Sequence, residues 1–219
     1  MGMNKSKGNM YDFVTHTWNA IKGKCPHDCS YCYMKRWGPL SPTRFDEKEL
    51  RTDLGSGNFI FVGSSCDMFA KDIPSGWIGR TLAHVMDYDN MYLFQSKNPG
   101  RMIGWLQEKS IACTTIETNR WYSEIMMNSP KPAERTIAMG ALSCQGIKTF
   151  VTVEPVMDFD LHKMVKLIRQ CNPEQVNIGA DSGNNHLPEP SAEKLQELII
   201  GLKEFTTIHQ KRNLGRILI

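Results

Sequence analysis

Ten residues near the N-terminus hold the densest chemistry in the chain. Lys24-Cys25-Pro26-His27-Asp28-Cys29-Ser30-Tyr31-Cys32-Tyr33 sets three cysteines in the spacing C-x3-C-x2-C. Thiolates are soft ligands, and three held this close can wrap one corner of an iron–sulfur cluster. A cubane cluster on three Cys keeps one iron without a protein ligand. Such an open position is what a substrate-binding metal site needs. Other readings of the same residues stand beside this one. A structural zinc ion normally takes four ligands and would recruit His27, His16 or a distant cysteine. A redox dithiol would use Cys29 and Cys32 and leave Cys25 without a role. Inert thiols suit so polar and Pro-broken a loop least. The spacing favours the open cluster over zinc.

Further polar residues follow apolar runs of strand length. Ser64-Ser65-Cys66-Asp67 follows residues 58–63 (NFIFVG), and Ser96-Lys97-Asn98 follows 91–95 (MYLFQ). Glu117-Thr118-Asn119 follows 111–116 (IACTTI), Glu154-Pro155 follows 149–153 (TFVTV), and Asp181-Ser182-Gly183 follows 176–180 (VNIGA). A weaker run spans 15–21 (THTWNAI). Nearly unbroken apolar character over so few residues fits strands buried on both faces, as in parallel sheets.

Between the runs the period changes to that of helices. Ile78, Leu82, Val85 and Met86 share one face, as do Leu161, Met164, Val165 and Ile168. Leu195, Leu198, Ile199, Leu202 and Phe205 form the clearest stripe, with Ser191 as its N-cap. Shorter helices are predicted over 45–54, 101–108 and 133–143. Six strands alternating with six helices predict an α/β fold, a partial (β/α)6 TIM-like barrel with parallel strands. A doubly wound sheet is the runner-up. One domain is expected over residues 1–219, with its core at about 15–205. Both architectures bind ligands at the C-terminal strand edge, so the five polar clusters predict one site built from many loops.

Composition bounds the rest. The 219 residues carry 26 Lys and Arg against 23 Asp and Glu, a net charge of +3. That excludes a polycation binding nucleic acid by charge alone, and an acidic solvating tail. No apolar run approaches a membrane span and the start has no signal-peptide stretch, so a cytoplasmic protein is expected. Seven cysteines are an odd number in a chain too long for a disulfide scaffold; Cys113, Cys144 and Cys171 read as structural. The basic segment His209-Gln210-Lys211-Arg212-Asn213 reads as a solvated tail or a phosphate grip.

The cysteine motif, with the aromatic Tyr31 before its last Cys, resembles the radical S-adenosylmethionine (SAM) superfamily. So do Phe61-Val62 leading into Ser65-Cys66-Asp67-Met68-Phe69, then Ile73-Pro74 and Trp77, Val153-Glu154-Pro155, and Gly179-Ala180-Asp181-Ser182-Gly183. Together these segments, within residues 18–183, are similar to a phage- and bacterium-borne branch of unknown function, itself distantly similar to spore photoproduct lyase. The chain departs from the pattern where Ser64-Ser65 follows Gly63 in place of Gly-Gly-Glu, at Ala70, and at Ser96-Lys97.

The resemblance implies a 4Fe-4S cluster on Cys25, Cys29 and Cys32 and reductive cleavage of SAM to a 5′-deoxyadenosyl radical that abstracts hydrogen from a substrate. A reductant such as flavodoxin or ferredoxin would supply the electron. Tyr31, Ser64, Ser65, Asp67, Lys97, Thr115, Glu117 and Glu154 are then expected at SAM, with Lys97 as the only cation among these strand ends. Asp181 and Trp37 are expected at the substrate, a nucleotide or nucleic acid on this analogy, and Cys66 as a hydrogen-atom donor. A zinc or iron–sulfur binding module without catalysis, or an electron-transfer cluster protein, is the alternative.

Overall fold

The computed structural model describes residues 2–7 and 10–218. Among the described residues, ten strands and five α-helices follow one another along the chain. The N-terminal third holds β1 (Asn4–Lys5), β2 (His16–Trp18), β3 (Ile21–Lys22), β4 (Arg44–Phe45) and β5 (Phe59–Val62). Helix and strand then alternate: α1 (Ser75–Met86), β6 (Met91–Gln95), β7 (Ser110–Thr115), α2 (Ser123–Met126), α3 (Pro132–Cys144), β8 (Lys148–Val153), α4 (Leu161–Gln170), β9 (Gln175–Ile178), α5 (Ala192–Lys203) and β10 (Thr207–Gln210).

One eight-stranded sheet runs β1-β2-β5-β6-β7-β8-β9-β10, and β3 pairs with β4 separately. Only the β1–β2 pair of the large sheet is antiparallel; β2, β5 and every strand after it run parallel in chain order. No ladder among the described residues joins β10 back to β2, so the barrel is partial and open. It has seven parallel strands where six are predicted. The seventh, β10, runs into the segment read as a solvated tail or a phosphate grip, sharing His209 and Gln210 with it. Alternation there is masked because Thr207 and Gln210 are exposed at the sheet's edge.

Alternating side chains divide the core in two. Ile60, Val62, Tyr92, Phe94, Ala112, Val151, Val153, Val176 and Ile178 face out and pack with the helices. Phe61, Leu93, Ile111, Cys113 and Phe150 face in, where Tyr11 and Val14 of the N-terminal segment cover them. A period of two with apolar residues on both faces yields these two clusters, as a sheet covered on both sides requires. Further along the same inward rows the residues turn polar: Gln95, Thr115, Thr152 and Asn177. Tyr11 joins this layer, its hydroxyl donating to Gln95 Oε1 at 2.7 Å. Gln95 Nε2 in turn donates to Thr115 Oγ1 at 3.1 Å.

The long helices match the sequence closely. Ser191 caps α5, its side chain accepting from Lys194 N at 3.3 Å. On α1 the buried face is Ile78, Thr81, Leu82 and Val85, while Met86 is exposed. Two short helices are corrected. Arg44–Phe45 pairs with β3, and Asp46 then caps a 3-10 turn over Glu47–Arg51. Lys22 fixes that turn through Asp46 at 2.8 Å and Glu49 at 2.6 Å. Over 101–108 there is only a 3-10 turn, Pro99–Met102. Gly104 follows at φ +81°, and Arg101 is bound to the carbonyls of Lys71 at 3.2 Å and Ile73 at 2.8 Å. Cys113 and Cys171 are buried as expected, but Cys144 at the end of α3 is exposed.

Candidate functional site

The cysteine loop crosses the C-terminal ends of the parallel strands, and three of its side chains tie it there. His27 Nε2 meets Asp67 Oδ2, beyond β5, at 2.8 Å. Tyr31 donates its hydroxyl to Glu117, beyond β7. Tyr33 donates to the Ser64 carbonyl. Gly63, at φ +80°, makes the turn that carries β5 into Ser64; a Cβ there would stand 3.3 Å from the Cys66 carbonyl. From behind, the segment around α2 backs the loop: Ser30 N donates to the Ile125 carbonyl at 3.0 Å and Asn128 N to the His27 carbonyl at 3.1 Å.

Within the loop the thiols are not yet gathered. Cys29 Sγ turns to the Met126 carbonyl at 3.9 Å, while Cys25 is hydrogen-bonded to Cys66. Among the described residues no three His, Cys, Asp or Glu side chains converge as a metal site. The donor set nevertheless suits a soft cluster: three thiols on one short loop. His27 Nε2 is held by Asp67, and His16 sits at the start of β2, away from the loop. Cys66 lowers the Cys25 thiol to about 6 by its hydrogen bond and is itself pushed up in return.

The centre of the site is a buried charge cluster. Glu117 is 0% exposed and pairs with Arg135, also 0% exposed, at 2.8 Å and with Lys97 at 3.5 Å. Lys97 Nζ also stands 5.3 Å from the centre of the Tyr31 ring. Burial pushes the Glu117 carboxyl up, but Arg135, Lys97 and the Tyr31 hydroxyl outweigh it and hold it below its ordinary value. For Lys97 burial works downward, and Glu117 overcomes it, so the ammonium form is favoured. Both groups are charged near neutrality. Thr115, one inward position before Glu117, is buried beneath them.

Asp67 is equally engaged. Its carboxylate accepts from His27, from Ser96 Oγ at 2.9 Å, from Lys97 N at 2.8 Å and from Phe69 N at 2.9 Å. Ser64 Oγ and Ser65 N both donate to Asn19 Oδ1, at 3.2 and 2.9 Å. Further round the sheet Glu154 Oε2 takes Lys211 Nζ at 2.6 Å, and its Oε1 takes Asn213 Nδ2 at 3.1 Å. Gly179 makes room for them: a Cβ there would come within 2.7 Å of Glu154 Oε1. Asp181 folds its carboxylate onto its own loop, accepting from Gly183 N at 2.9 Å and Asn185 Nδ2 at 2.6 Å. Trp37 stands apart, 65% exposed beside Arg36.

Neither a family model nor a curated protein matches this chain by sequence. Solved structures do match. Spore photoproduct lyase, as a cysteine-to-serine mutant, aligns with 93% of this chain and 78% of its own, at TM-score 0.66 and 12% identity. A cysteine-to-alanine mutant of the lyase with dinucleoside spore photoproduct covers 95% and 80%, at TM-score 0.67 and 12% identity. SuiB of Streptococcus suis covers 89% of this chain and 48% of its own, at TM-score 0.53 and 10% identity. The fold is that of spore photoproduct lyase and of SuiB.

On this fold, the C-terminal strand edge brings Tyr31, Lys97, Thr115 and Glu117 together under the cysteine loop. Ser64, Ser65, Cys66 and Asp67 lie against the loop from the β5 side. Glu154 belongs to a second ion pair, Asp181 to its own turn, and Trp37 to the outer surface. Lys97 is not the only cation at the strand ends. Lys211, buried after β10, and Arg135, from the first turn of α3, both reach strand-end carboxylates. Arg135 sits on a helix where an arginine ordinarily reads as solvated, and no local pattern marks it. Lys211 is missed because β10 is missed.

Proposed function

We propose that the chain is a radical SAM enzyme whose 4Fe-4S cluster is held by Cys25, Cys29 and Cys32. The observation that carries the reading is the position of the C-x3-C-x2-C loop. It is tied over the C-terminal strand edge of a radical SAM fold, directly above a buried lysine–glutamate pair. When bound, the cluster and SAM supply reductive carbon–sulfur cleavage and the 5′-deoxyadenosyl radical; that chemistry belongs to the cofactors, and the protein orients them.

The side chains divide that work. Lys97, kept charged by Glu117, offers its ammonium to a carboxylate such as SAM's. Glu117 and Tyr31 hold that ammonium beneath the loop, and Thr115 lies deep enough to meet a ribose. Ser64 and Ser65 border the position for SAM's amino group. Asp67, saturated by four donors, braces His27 and the Lys97 backbone. Glu154 and Lys211, with Asp181 further out, lie on the substrate side, and Trp37 stands on the outer surface. Cys66 is buried behind the loop and bonded to Cys25. That place suits a hydrogen bond to a ligating sulfur, which tunes a cluster's potential, better than return of a hydrogen atom to a substrate. The spore photoproduct lyase structures include complexes with a dinucleoside, which supports a nucleotide or nucleic-acid substrate here.

Anaerobic reconstitution tests the reading. Iron and sulfide in cluster stoichiometry, brown absorbance, and 5′-deoxyadenosine on reduction with SAM are expected. Cys25→Ala, Cys29→Ala and Cys32→Ala should each abolish the product, and Lys97→Ala should weaken SAM binding while iron content holds. Colourless zinc-loaded protein, or a cluster that never cleaves SAM, would end the proposal.

A further inference from the structure

We infer that Arg135, on α3, is a positioning residue for a bound carboxylate: it claims Glu117 for itself and so leaves the Lys97 ammonium open to a ligand. This rests on the radical SAM reading above and adds to it a residue that lies on neither the cysteine loop nor a strand end. The three side chains make unequal contacts. Arg135 Nη1 donates to Glu117 Oε2 at 2.8 Å, and the Tyr31 hydroxyl donates to Oε1. Lys97 Nζ stands 3.5 Å from that same Oε1, beyond the roughly 2.7–2.9 Å of a hydrogen-bonded ion pair. Its side chain keeps 17% of its surface exposed, where those of Glu117 and Arg135 keep none. Lysine is therefore the member of the cluster that a ligand can reach. The second strand-end pair shows the closed arrangement, with Lys211 Nζ on Glu154 Oε2 at 2.6 Å.

Charge points the same way. Arg135 and Lys97 stand against Glu117 alone, an excess of one positive charge, and a ligand carboxylate brings the group to neutrality. Without Arg135, Glu117 and Lys97 cancel each other, and a carboxylate would enter with its charge unmatched, which a desolvated site penalises. Glu117, stripped of its closest partner, would also draw Lys97 into direct contact. Asp67 and the cysteine thiols are common to parent and variants, so they drop out of the difference. Arg135 has a second link that must be separated from this one. Its Nη2 donates to Ser129 Oγ at 3.0 Å, and Ser129 Oγ donates to the Met126 carbonyl at 2.6 Å, where Cys29 Sγ also turns at 3.9 Å. Bracing of the cysteine loop would act on iron binding; the charge balance acts on the ligand's carboxylate.

Equilibrium binding to the reconstituted protein distinguishes the two, with SAM compared against decarboxylated SAM, which keeps the sulfonium and the amine. Arg135→Met should bind SAM about tenfold more weakly at equal iron content and decarboxylated SAM no more weakly, so the preference for the carboxylate falls. Arg135→Met/Glu117→Gln restores an excess of one positive charge and should recover that preference to within about threefold of the parent. Ser129→Ala breaks the link to Met126 without changing charge and should keep the preference. A preference equal in Arg135→Met and the parent overturns the inference. So does a double variant no better than Arg135→Met, or a Ser129→Ala variant that loses as much. Should Arg135→Met fold poorly, the double variant decides alone: a preference near the parent's supports the charge balance, and its loss overturns it. A reconstituted parent that binds no SAM would instead overturn the radical SAM reading beneath.

Discussion

Arg135→Met should cost the fold more than any exposed substitution, and the structure sets the size of the loss. The guanidinium donates to Glu117 at 2.8 Å, to the carbonyls of Thr115 at 2.8 Å and Pro130 at 2.7 Å, and to Ser129 Oγ at 3.0 Å. Ser129 Oγ passes the link to the Met126 carbonyl at 2.6 Å, in the segment that backs the cysteine loop. Methionine fills much of the volume but leaves Glu117 buried with a weaker set of partners. Removing one member of a buried ion pair costs about 3–5 kcal/mol, because the remaining charge stays desolvated. Lys97 and Tyr31 still serve Glu117, so the lower end is expected, about 3 kcal/mol. At roughly 2–4 °C per kcal/mol for a chain this long, Tm should fall by about 6–12 °C.

Adding Glu117→Gln removes the stranded charge, so the double variant should be more stable than Arg135→Met alone. Urea unfolding followed by circular dichroism measures Arg135→Met, Glu117→Gln and the double variant. A loss below about 1 kcal/mol for Arg135→Met, or strictly additive single losses, would show that the pair is not the strut described.

Two further outcomes follow from the same contacts. Gly179→Ala places a methyl 2.7 Å from Glu154 Oε1 and 3.0 Å from Asn213 Oδ1. It must push both off the Lys211 pair at a cost of about 1–3 kcal/mol, and an unchanged urea midpoint would contradict that. On the acid side, the Glu117 and Asp67 carboxyls lie below their ordinary values of 4.5 and 3.8, burial being outweighed by Arg135 and Lys97 in one case and His27 in the other. A folded pKa below the unfolded one contributes stability that is complete above the unfolded value and is lost as pH falls through the folded one. Stability should therefore decline below about pH 4, less steeply in Glu117→Gln; a midpoint constant from pH 5 to pH 3 would refute the assignment.

What the sequence determined was local or periodic. The β5 to β9 runs needed only unbroken apolar character, α4 and α5 only their stripes, and the Ser191 cap only its position before one. The cysteine spacing is local too, and so was visible without a fold. Short or edge elements escaped because their stability comes from neighbours: β10 is held by β9 along one side, and the 45–51 turn by Lys22. The polar layer of the site was anticipated as a set of strand ends, but its pairing was not. Which carboxylate meets which cation depends on side chains that approach from 18 to 57 positions away, as Arg135 does for Glu117 and Lys211 for Glu154. A buried charge survives only with such a partner, and the partner's identity is a property of the assembled barrel, which no stretch of the chain encodes alone.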